Sequence, residues 1–591
     1  MSIVRFVPGT NGKRVIQSGS RRLSLYSNAK VNPRIPSTAI CAEAPALVIC
    51  LSLKNPPPFV AVISPWLSRW ALKDNLAAGS SELQSVFAGR NMCAHSDRMI
   101  FMLRTLPLSI LTIFLLPLCS PGEGTNDALA RATAAIQSAV PRAQADPAHP
   151  IFHVTAPAQW INDPNGPIFY KGFYHLFYQL HPFSDRSGPK YWGHVRSRDL
   201  AKWEHLPIAL WPSSEAGEAE VWSGCCTING KGEPMIFYTS IAPGKSAGDH
   251  AEQWAAIGDD DLIRWHKSPA NPVLSEDLHG GTKIYDWRDP FVFRDKKRAF
   301  LVTGGNLNRA RGGQAVVNIY EAENAELTKW KYRGVLFHLP EGATAECPNF
   351  FKLGDQWVLF VSPYGRVQYF VGDFDAETCR FQARTRGVLD CARNFYAPNT
   401  MQVSDGRRLV WGWVHGFPNG RGWNGCLSLP RLLTLSRDGE LLQNPAPQLS
   451  KLRGKRVEWR NVRLENGAET FMLPKTNTLE VLAEIDLKTA NNIELGIKSG
   501  AEDAQPVVVN FDGSELKVID AIAPLHIAET GRKLTLRIFV DRSVMEVFAN
   551  ETVCATKVIR PLDSNPVLEI RADGGTASAK LVQAWPMKSI W

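Results

Sequence analysis

An all-β protein, with a five-bladed β-propeller followed by a β-sandwich, is the fold class that this sequence of 591 residues predicts. From residue 150 onward, short runs of Phe, Tyr, Val, Ile and Trp are bounded by Gly, Asp, Asn and Pro, as in antiparallel sheets. A pattern of an acidic residue, Leu, any residue, a basic residue and Trp recurs at intervals of 62 and 65 residues. The periodicity stops after Pro445, which indicates a second domain of a different kind.

The repeat defines the blades of the predicted propeller. Its copies end at Trp203, Trp265 and Trp330, and a degenerate copy ends at Phe381. A unit of a strand, a polar turn and an aromatic strand recurs five times over about 300 residues, and each copy is long enough for a four-stranded sheet. Five such sheets arranged radially protect their strand edges by closure, whereas a two-sheet sandwich predicts no such period. We therefore expect a propeller at 148–448, with the three tryptophans packed inside its blades.

The C-terminal part is predicted to form a separate antiparallel sandwich at 460–588. Residues 450–465 are basic and polar and are interpreted as a linker. Alternating apolar runs follow them, for example Leu479–Ile485 and Leu534–Val540. Alternation with a period of two residues is typical of strands with one buried face, as in a sandwich.

The net charge of +9 lies entirely in the N-terminal segment. Residues 1–119 hold 13 Lys or Arg and 4 Asp or Glu, so that the rest of the chain holds 53 of each kind. A balanced main body has no electrostatic footprint for a polyanion, and nucleic acid is therefore not expected as a partner.

Residues 99–120 predict a secretory signal peptide. Arg104 supplies a positive charge, Leu106–Leu118 form an apolar stretch of 13 residues, and small or polar residues follow. The stretch is too short for a membrane-spanning helix, and its two prolines disfavour a buried core helix. We therefore expect a secreted, periplasmic or extracellular protein without a transmembrane segment. A lipid anchor at Cys119 is the alternative, which the bulky Leu118 disfavours.

Two further N-terminal segments flank this signal. Residues 1–98 mix scattered Arg and Lys with Ser and Pro. They are expected either to be disordered or to result from a misassigned start site, with translation beginning at Met99 or Met102. Residues 121–147 are interpreted as a linker to the first blade.

The eleven cysteines predict neither a disulfide framework nor a metal site. Seven follow residue 119, an odd number that includes the vicinal pair Cys225–Cys226 and has no regular spacing. No Cys or His cluster has the spacing of a zinc site. No metal and no cofactor are predicted.

Three acidic residues stand at equivalent points of different blades, each at the start of a first strand. They are Asp163, Asp289 and Glu346, and a proline follows each of them directly or one residue later. The first strand of each propeller blade lines the central axis, so we expect all three at one mouth of the channel. Each alone could be a turn or surface residue. Several carboxylates converging in one cleft point to glycoside chemistry, in which one acts as acid and one as nucleophile.

The motifs around these acids resemble those of one enzyme family. The segments that carry the resemblance are Trp160–Gly166, Leu176–Gln179, Trp192–His194, Trp222–Gly224, Arg288–Pro290, Glu346–Pro348, Asp390–Ala397, Trp423–Arg431 and Asp541–Phe548. In this order and spacing they resemble the invertase/levanase family of β-fructofuranosidases, glycoside hydrolase family 32. The resemblance covers residues 150–588 and implies the same two-domain fold.

The resemblance also implies roles. Asp163 would be the nucleophile that attacks C2 of a fructofuranosyl unit, Glu346 the general acid and base, and Asp289 the stabiliser of the transition state. Retention through a covalent intermediate predicts carboxyl groups of Asp163 and Glu346 about 5–5.5 Å apart. The fructose subsite would be lined by Asn162, Gln179, Trp192, Trp222, Ser223, Arg288, Cys347, Asp390 and Trp423. Among these, Cys347 is expected to tune the environment of the acid.

Several functions remain open at this stage. Fructosyl transfer to an acceptor sugar would use the same site, and an inactive propeller could serve as a carbohydrate-binding module. The presence of all three carboxylates favours the enzyme. The sequence does not distinguish sucrose, levan and inulin, nor does it indicate an oligomeric state.

Overall fold

The computed structural model describes residues 125–591 apart from 249, 309–312, 500–505, 529–530 and 564. The extension predicted at 1–98 and the signal peptide predicted at 99–120 therefore lie outside the described residues. Within them, no helix is long and apolar enough to cross a membrane.

The described chain begins with helix α1 (Thr125–Ala145), where a linker is expected from the sequence. That expectation is wrong because the segment is rich in Ala, the best helix former, and has an apolar face. Ala132, Ile136 and Ala143 are buried in the same apolar cluster as residues of the first and fifth blades. The helix is thus part of the propeller's outer packing.

Five antiparallel sheets form the blades of a propeller. The strands of blades one to three are β1 (Gln159–Tyr170), β2 (Phe173–His181), β3 (Tyr191–Ser197), β4 (Trp203–Leu210), β5 (Glu220–Ile228), β6 (Pro234–Ile241), β7 (Glu252–Gly258), β8 (Trp265–Lys267), β9 (Tyr285–Asp295), β10 (Arg298–Leu307), β11 (Gln314–Ala322) and β12 (Trp330–His338). Those of blades four and five are β13 (Glu346–Leu353), β14 (Gln356–Ser362), β15 (Gln368–Asp375), β16 (Arg380–Val388), β17 (Phe395–Gln402), β18 (Arg408–Val414), β20 (Cys426–Leu427), β21 (Arg431–Leu435) and β22 (Leu441–Pro445). The short strand β19 (Trp423–Asn424) belongs to the sheet of blade one.

The ring of blades closes between the fifth blade and the first. The inner strands β1, β5, β9, β13 and β17 contact one another around the axis. The segment β19, which follows the second strand of blade five, pairs in parallel with β1 through Gln159 and Trp423. Closure of this kind leaves few unprotected strand edges. The predicted five-bladed propeller is confirmed.

The repeated Trp of each blade packs against its own turn. The indole N–H groups of Trp203, Trp265 and Trp330 donate to the carbonyl oxygen three residues earlier, at 3.2, 2.9 and 3.0 Å. In each case that carbonyl belongs to the Leu of the repeat, whose φ lies near +58°. A left-handed backbone conformation is unfavourable for Leu, and the hydrogen bond from the buried Trp stabilises it in each turn. The prediction that these three residues are blade core is confirmed.

The C-terminal domain is a β-sheet sandwich. Its strands are β23 (Val457–Met472), β24 (Thr478–Asp486), β25 (Asn492–Lys498), β26 (Val507–Phe511), β27 (Glu515–Val518), β28 (Ala521–Pro524), β29 (Lys533–Asp541), β30 (Val544–Ala549), β31 (Val553–Val558) and β32 (Val567–Pro586). The first half of β32 pairs with β25 and its second half with β24, so that it joins the two halves of the domain. Apolar side chains from both halves form one core.

The predicted linker at 450–465 is instead ordered secondary structure. A 3₁₀ turn spans Pro447–Leu452 and buries Leu449 and Leu452, and β23 begins five residues later at Val457. The polar residues of this stretch mark a strand with one exposed face and not a free connection.

Buried ionic contacts join the two domains. Arg431 on β21 donates to Asp390 at 2.9 Å and to Glu546 of the sandwich at 2.7 Å. His153 contacts Asp541 at 2.9 Å and Glu546 at 3.2 Å. We call these five residues the interface cluster, and it ties the propeller to the sandwich.

Candidate active site

The site begins with a backbone irregularity that all five inner strands share. In each of them, two residues face a single residue of the neighbouring second strand, which is a β-bulge. The bulged pairs are Asn162–Asp163, Trp222–Ser223, Asp289–Pro290, Cys347–Pro348 and Ala397–Pro398. Proline is tolerated at a bulge because a bulged residue needs no N–H for the ladder. The bulges interrupt the regular pleat, and side chains from four of them, Asp163, Ser223, Asp289 and Cys347, contact one another between blades.

Three of the bulges hold a residue with a strained backbone, and the third of these, Ala397, has φ +44°. The other two, Asp289 and Cys347, lie at the centre of the site. Asp289 has φ +62° and Cys347 has φ +47°, values that residues other than Gly seldom adopt. Asp289 is fixed in this conformation by its own N–H, which donates to Thr239 Oγ1 at 2.8 Å, and by its carboxylate, which accepts from the Cys347 N–H at 2.9 Å. Strain held by its surroundings is typical of functional sites.

The three predicted carboxylates meet at one mouth of the channel. The Sγ atom of Cys347 lies 3.5 Å from Asp163 Oδ2 and 3.6 Å from Asp289 Oδ2. The guanidinium of Arg288 donates to Glu346 Oε1, and its Nε lies 3.7 Å from Asp289 Oδ2. We call Asp163, Asp289, Glu346 and Arg288 the active-site cluster.

Asp163 is held by a chain of neutral donors. Its Oδ1 accepts from Asn162 Nδ2 at 3.1 Å, and its Oδ2 accepts from Ser223 Oγ at 2.6 Å. Gln179 connects these two donors, because its Oε1 accepts from Asn162 and its Nε2 donates to Ser223 at 2.6 Å. All three are buried, so they orient the carboxylate and leave its remaining lone pairs to the channel.

Glu346 has a different environment. Burial raises its pKa, and the negative charge of Asp163 raises it further, against the opposing effects of Arg288 and Tyr396. The hydroxyl of Tyr396 donates to Glu346 Oε2 at 2.5 Å. Burial also raises the pKa of Asp289, to about 7. The cluster therefore combines a carboxylate fixed by neutral donors with two carboxyls that retain protons more readily than in water.

Trp222 and Cys347 adjoin this cluster as expected from the sequence. The ring of Trp222 is half-buried, donates from its indole N–H to Glu220 at 2.9 Å, and lies 5.8 Å from the Arg288 guanidinium. Burial and three surrounding carboxylates raise the pKa of the Cys347 thiol well above its usual value. A thiol of this kind stays protonated, so Cys347 donates to its neighbours and does not act as a nucleophile.

Three residues predicted for the fructose subsite are placed elsewhere, and these predictions are wrong. Trp192 is 0% exposed, and its indole N–H donates at 3.0 Å to the backbone carbonyl of Trp222. Asp390 is 1% exposed and belongs to the interface cluster. Trp423 is 1% exposed on β19, where its N–H donates to Asp146 at 2.9 Å. All three side chains are therefore almost fully buried and do not face an open subsite.

Two tyrosines that the sequence analysis does not assign to the site complete it. Tyr396 lies just before the bulge of the fifth inner strand, the position that Glu346 occupies in the fourth, so the blade alignment could have found it. Tyr364 lies between β14 and β15 and is 62% exposed. Its hydroxyl accepts from Arg288 Nη2 at 2.8 Å, and its N–H donates to the Tyr396 oxygen at 3.0 Å. No sequence signal marks Tyr364.

An aromatic wall stands beside Asp163. The ring of Trp160, whose N–H donates to Asn162 Oδ1 at 3.0 Å, lies edge-on to Trp413 with centroids 5.7 Å apart. His415 lies 4.7 Å from Trp413 in turn. Apolar walls with a few fixed polar groups suit the C–H faces and hydroxyls of a sugar ring. Among the residues that the structure describes, no group of His, Cys, Asp and Glu side chains is arranged to hold a metal ion.

Comparison with known proteins matches the two domains separately. Residues 153–445 match the model of the N-terminal domain of glycosyl hydrolases family 32, and residues 448–586 match the model of the C-terminal domain of the same family. A levanase of Bacillus subtilis is 31% identical over 505 residues, which cover 75% of this chain and 71% of that enzyme. A sucrose-6-phosphate hydrolase of Zymomonas mobilis is 30% identical over 441 residues, which cover 68% of this chain and 84% of that enzyme.

A solved structure agrees with these matches. It is a variant of the GH32 β-fructofuranosidase of Bombyx mori in complex with sucrose, and it is 27% identical to this chain with a TM-score of 0.67. The alignment covers 79% of this chain and 99% of that protein.

Proposed function

Because the chain belongs to glycoside hydrolase family 32, we propose that it hydrolyses terminal β-D-fructofuranosyl residues of sucrose or of fructans with retention of configuration. The observation that carries this proposal is the unequal environment of two carboxylates in one cluster. Asp163 is oriented by Asn162 and Ser223, whereas burial raises the pKa of Glu346. Two carboxyl groups whose environments differ in this way suit the roles of nucleophile and acid.

In the first step, Asp163 attacks C2 of the fructosyl unit while the bond from C2 to the leaving oxygen breaks. Glu346 gives its proton to that oxygen, which departs as an alcohol. A covalent ester between Asp163 and C2 results. The raised pKa of Glu346 keeps the proton available until the bond breaks.

In the second step, a water molecule attacks C2 and the ester bond to Asp163 breaks. The water's proton passes to Glu346, which regains its starting state. Asp289, next to Arg288 and Cys347, faces the same space. Its position suits contact with the fructose hydroxyls and stabilisation of the positive charge that develops on the ring.

The choice between sucrose and a fructan depends on the leaving-group side of the cluster. Tyr364 is the exposed residue there that contacts Arg288. We also propose secretion, which the order of charge, apolar block and small residues at 99–120 supports. Mass spectrometry of the native protein tests this point, since peptides from residues 1–98 would contradict it.

The activity is tested by release of reducing sugar from sucrose, inulin and levan. We expect Asp163→Ala to lower the rate about 10⁴-fold or more, since removal of a nucleophile abolishes the covalent route. Asp373→Ala, at an exposed ion pair on β15, is the matched control and should retain the wild-type rate. Equal rates in wild type and Asp163→Ala would refute the proposal.

Retention of configuration at C2 is tested separately, by the anomer of fructose that is released first. NMR spectra recorded early in the reaction should show β-fructofuranose before mutarotation, and the α anomer would indicate inversion. Trisaccharides as main products from concentrated sucrose would indicate transfer in place of hydrolysis.

A further inference from the structure

A second cavity lies at the end of the channel opposite to the active-site cluster. Its volume is about 570 Å³. The carboxylates stand near the starts of the inner strands, whereas this cavity is lined by later residues of the same strands. Segments of all five inner strands contribute to it: Gly166–Phe169, Cys225–Ile228, Phe291–Arg294, Phe351–Gly354 and Asn399–Gln402.

The charge of this cavity has one sign. Its lining residues include Arg294, Lys352 and Arg408, from three different blades, and no Asp or Glu is among them. Arg294 donates to the carbonyl of Ile228 at 2.6 Å, which holds its guanidinium at the rim. Three cations around one concave space attract anions and raise their local concentration.

Arg408 distinguishes this cavity from a merely basic surface. It is 9% exposed, its guanidinium lies 4.2 Å from the centroid of the Phe351 ring, and its Nη1 donates to Thr400 Oγ1 at 3.0 Å. Its Nε is buried and has no hydrogen-bond partner within the described part of the chain. Burial lowers the pKa of Arg408 to about 9, and among the residues that the structure describes no carboxylate opposes this effect.

Two other buried arginines of the propeller differ from Arg408 because they have carboxylate partners. Arg288 and Arg431 each contact carboxylates that neutralise them. A buried guanidinium without a counter-charge is costly, and proteins keep one where a ligand supplies the charge.

We propose that this cavity binds the phosphoryl group of a small anion, either inorganic phosphate or a phosphate monoester, on Arg408 and Lys352. A guanidinium presents planar paired donors that match phosphate oxygens, and an ammonium adds a point charge. The volume exceeds that of phosphate alone, so the rest of a small monoester fits beside it. Because the site is at the far mouth of the channel, it is independent of the hydrolysis proposed above.

The test is isothermal titration calorimetry of the full-length protein with inorganic phosphate and, separately, glycerol 3-phosphate at constant ionic strength. We expect Arg408→Gln to weaken binding about 10-fold or more and Lys352→Gln about 3-fold. Lys331→Gln, on the exposed outer strand β12, is the charge-matched control and should change binding less than about 2-fold. Tighter binding of one of the two probes identifies the source of the phosphoryl group.

Further variants separate this site from the first. Asp163→Ala should bind phosphate as wild type does, and Lys352→Gln should hydrolyse fructosides at the wild-type rate. Lys352 is exposed, so its variant remains informative if Arg408→Gln does not fold. The proposal is overturned if wild type binds neither probe, or if Lys352→Gln and Lys331→Gln weaken binding equally.

Discussion

The active-site cluster and the interface cluster each hold three carboxylates, but they differ in the positive charge that faces them. The active-site cluster contains one cation, Arg288. The interface cluster has Arg431 and His153, and the latter is held protonated by two carboxylates that raise its pKa to about 9. The interface carboxylates are the more deeply buried, with 0–1% of each side chain exposed against 6% for Asp289 and 17% for Glu346, so burial alone does not explain the difference in their pKa values.

The two clusters also differ in the pKa values of their carboxyl groups. In the interface cluster, Arg431 and His153 lower the pKa of Glu546 in spite of its full burial, whereas burial raises the pKa of Asp390, which contacts Arg431 but is not a contact of His153. In the active-site cluster, burial prevails and raises the pKa of both Glu346 and Asp289. Two cations thus stabilise the three carboxylates that join the domains, whereas the three carboxylates of the active-site cluster share one cation and retain protons more readily.

Removal of the central cation of the interface cluster should have the largest effect on stability. We expect Arg431→Met to lower the free energy of unfolding by about 3–5 kcal/mol, because it leaves Asp390 and Glu546 as buried charges without their partner. Urea unfolding measures this loss. The exposed pair of Arg384 and Asp373 provides the control, since Arg384→Met should cost less than about 1 kcal/mol. Similar losses in both variants would contradict the comparison.

The charge on His153 gives the interface cluster a pH dependence. Its pKa is raised from 6.5 to about 9, so its contribution is complete below pH 6.5 and is lost as the pH rises through 9. We expect the free energy of unfolding to fall by about 3 kcal/mol over that range, and His153→Gln to abolish the fall. His279→Gln is the matched control, because His279 is also buried and burial lowers its pKa to about 4, so that it does not titrate over this range. Unfolding curves with the same slope in His153→Gln and wild type would refute this role.

The same contrast explains which parts of the site the sequence could predict. The sequence predicts Asp163, Asp289 and Glu346 because the blade repeat places them near the starts of the inner strands and because proline marks the bulges within or next to which they lie. Resemblance to a family does not separate the motif residues that face the channel from those that are buried in the packing around it. Asp390 and the residues around Arg431 are motif segments that meet in the interface cluster.

What remained hidden from the sequence depends on side-chain direction and on loops. Successive residues of a strand face opposite sides, and a bulge reverses this order locally, so Trp192 could not be separated from Trp222 by spacing. Tyr364 comes from a turn with no repeat signal. The blade repeat does not predict helix α1, because this Ala-rich segment precedes the repeated units.

Asp289 should show a pH dependence of the same sign as that of His153, over a lower range of pH. Its pKa is raised from 3.8 to about 7, so the folded state holds the proton more tightly and loses stability as the pH rises through that range. We expect Asp289→Asn to increase the free energy of unfolding at pH 8 by about 1–2 kcal/mol, with no gain at pH 3.5, while fructoside hydrolysis decreases. Urea unfolding at the two values of pH checks this. A loss of stability at pH 8 would show that Asp289 is a structural ion pair, as in the interface cluster.

The smallest expected effect concerns the hydrogen bond from Tyr396 to Glu346. That bond favours the ionised carboxylate and lowers the pKa of Glu346, so Tyr396→Phe should raise it. Since Glu346 must be protonated to act as the acid, the alkaline limb of the kcat/KM profile should move to higher pH by about one unit, equivalent to about 1.4 kcal/mol. Tyr369→Phe, on the fourth blade at β15, is the control and should leave the profile unchanged. If Tyr396→Phe lowered kcat/KM equally at every pH, the hydroxyl would serve to position substrate or structure, and the tuning of Glu346 would rest on burial and Arg288 alone.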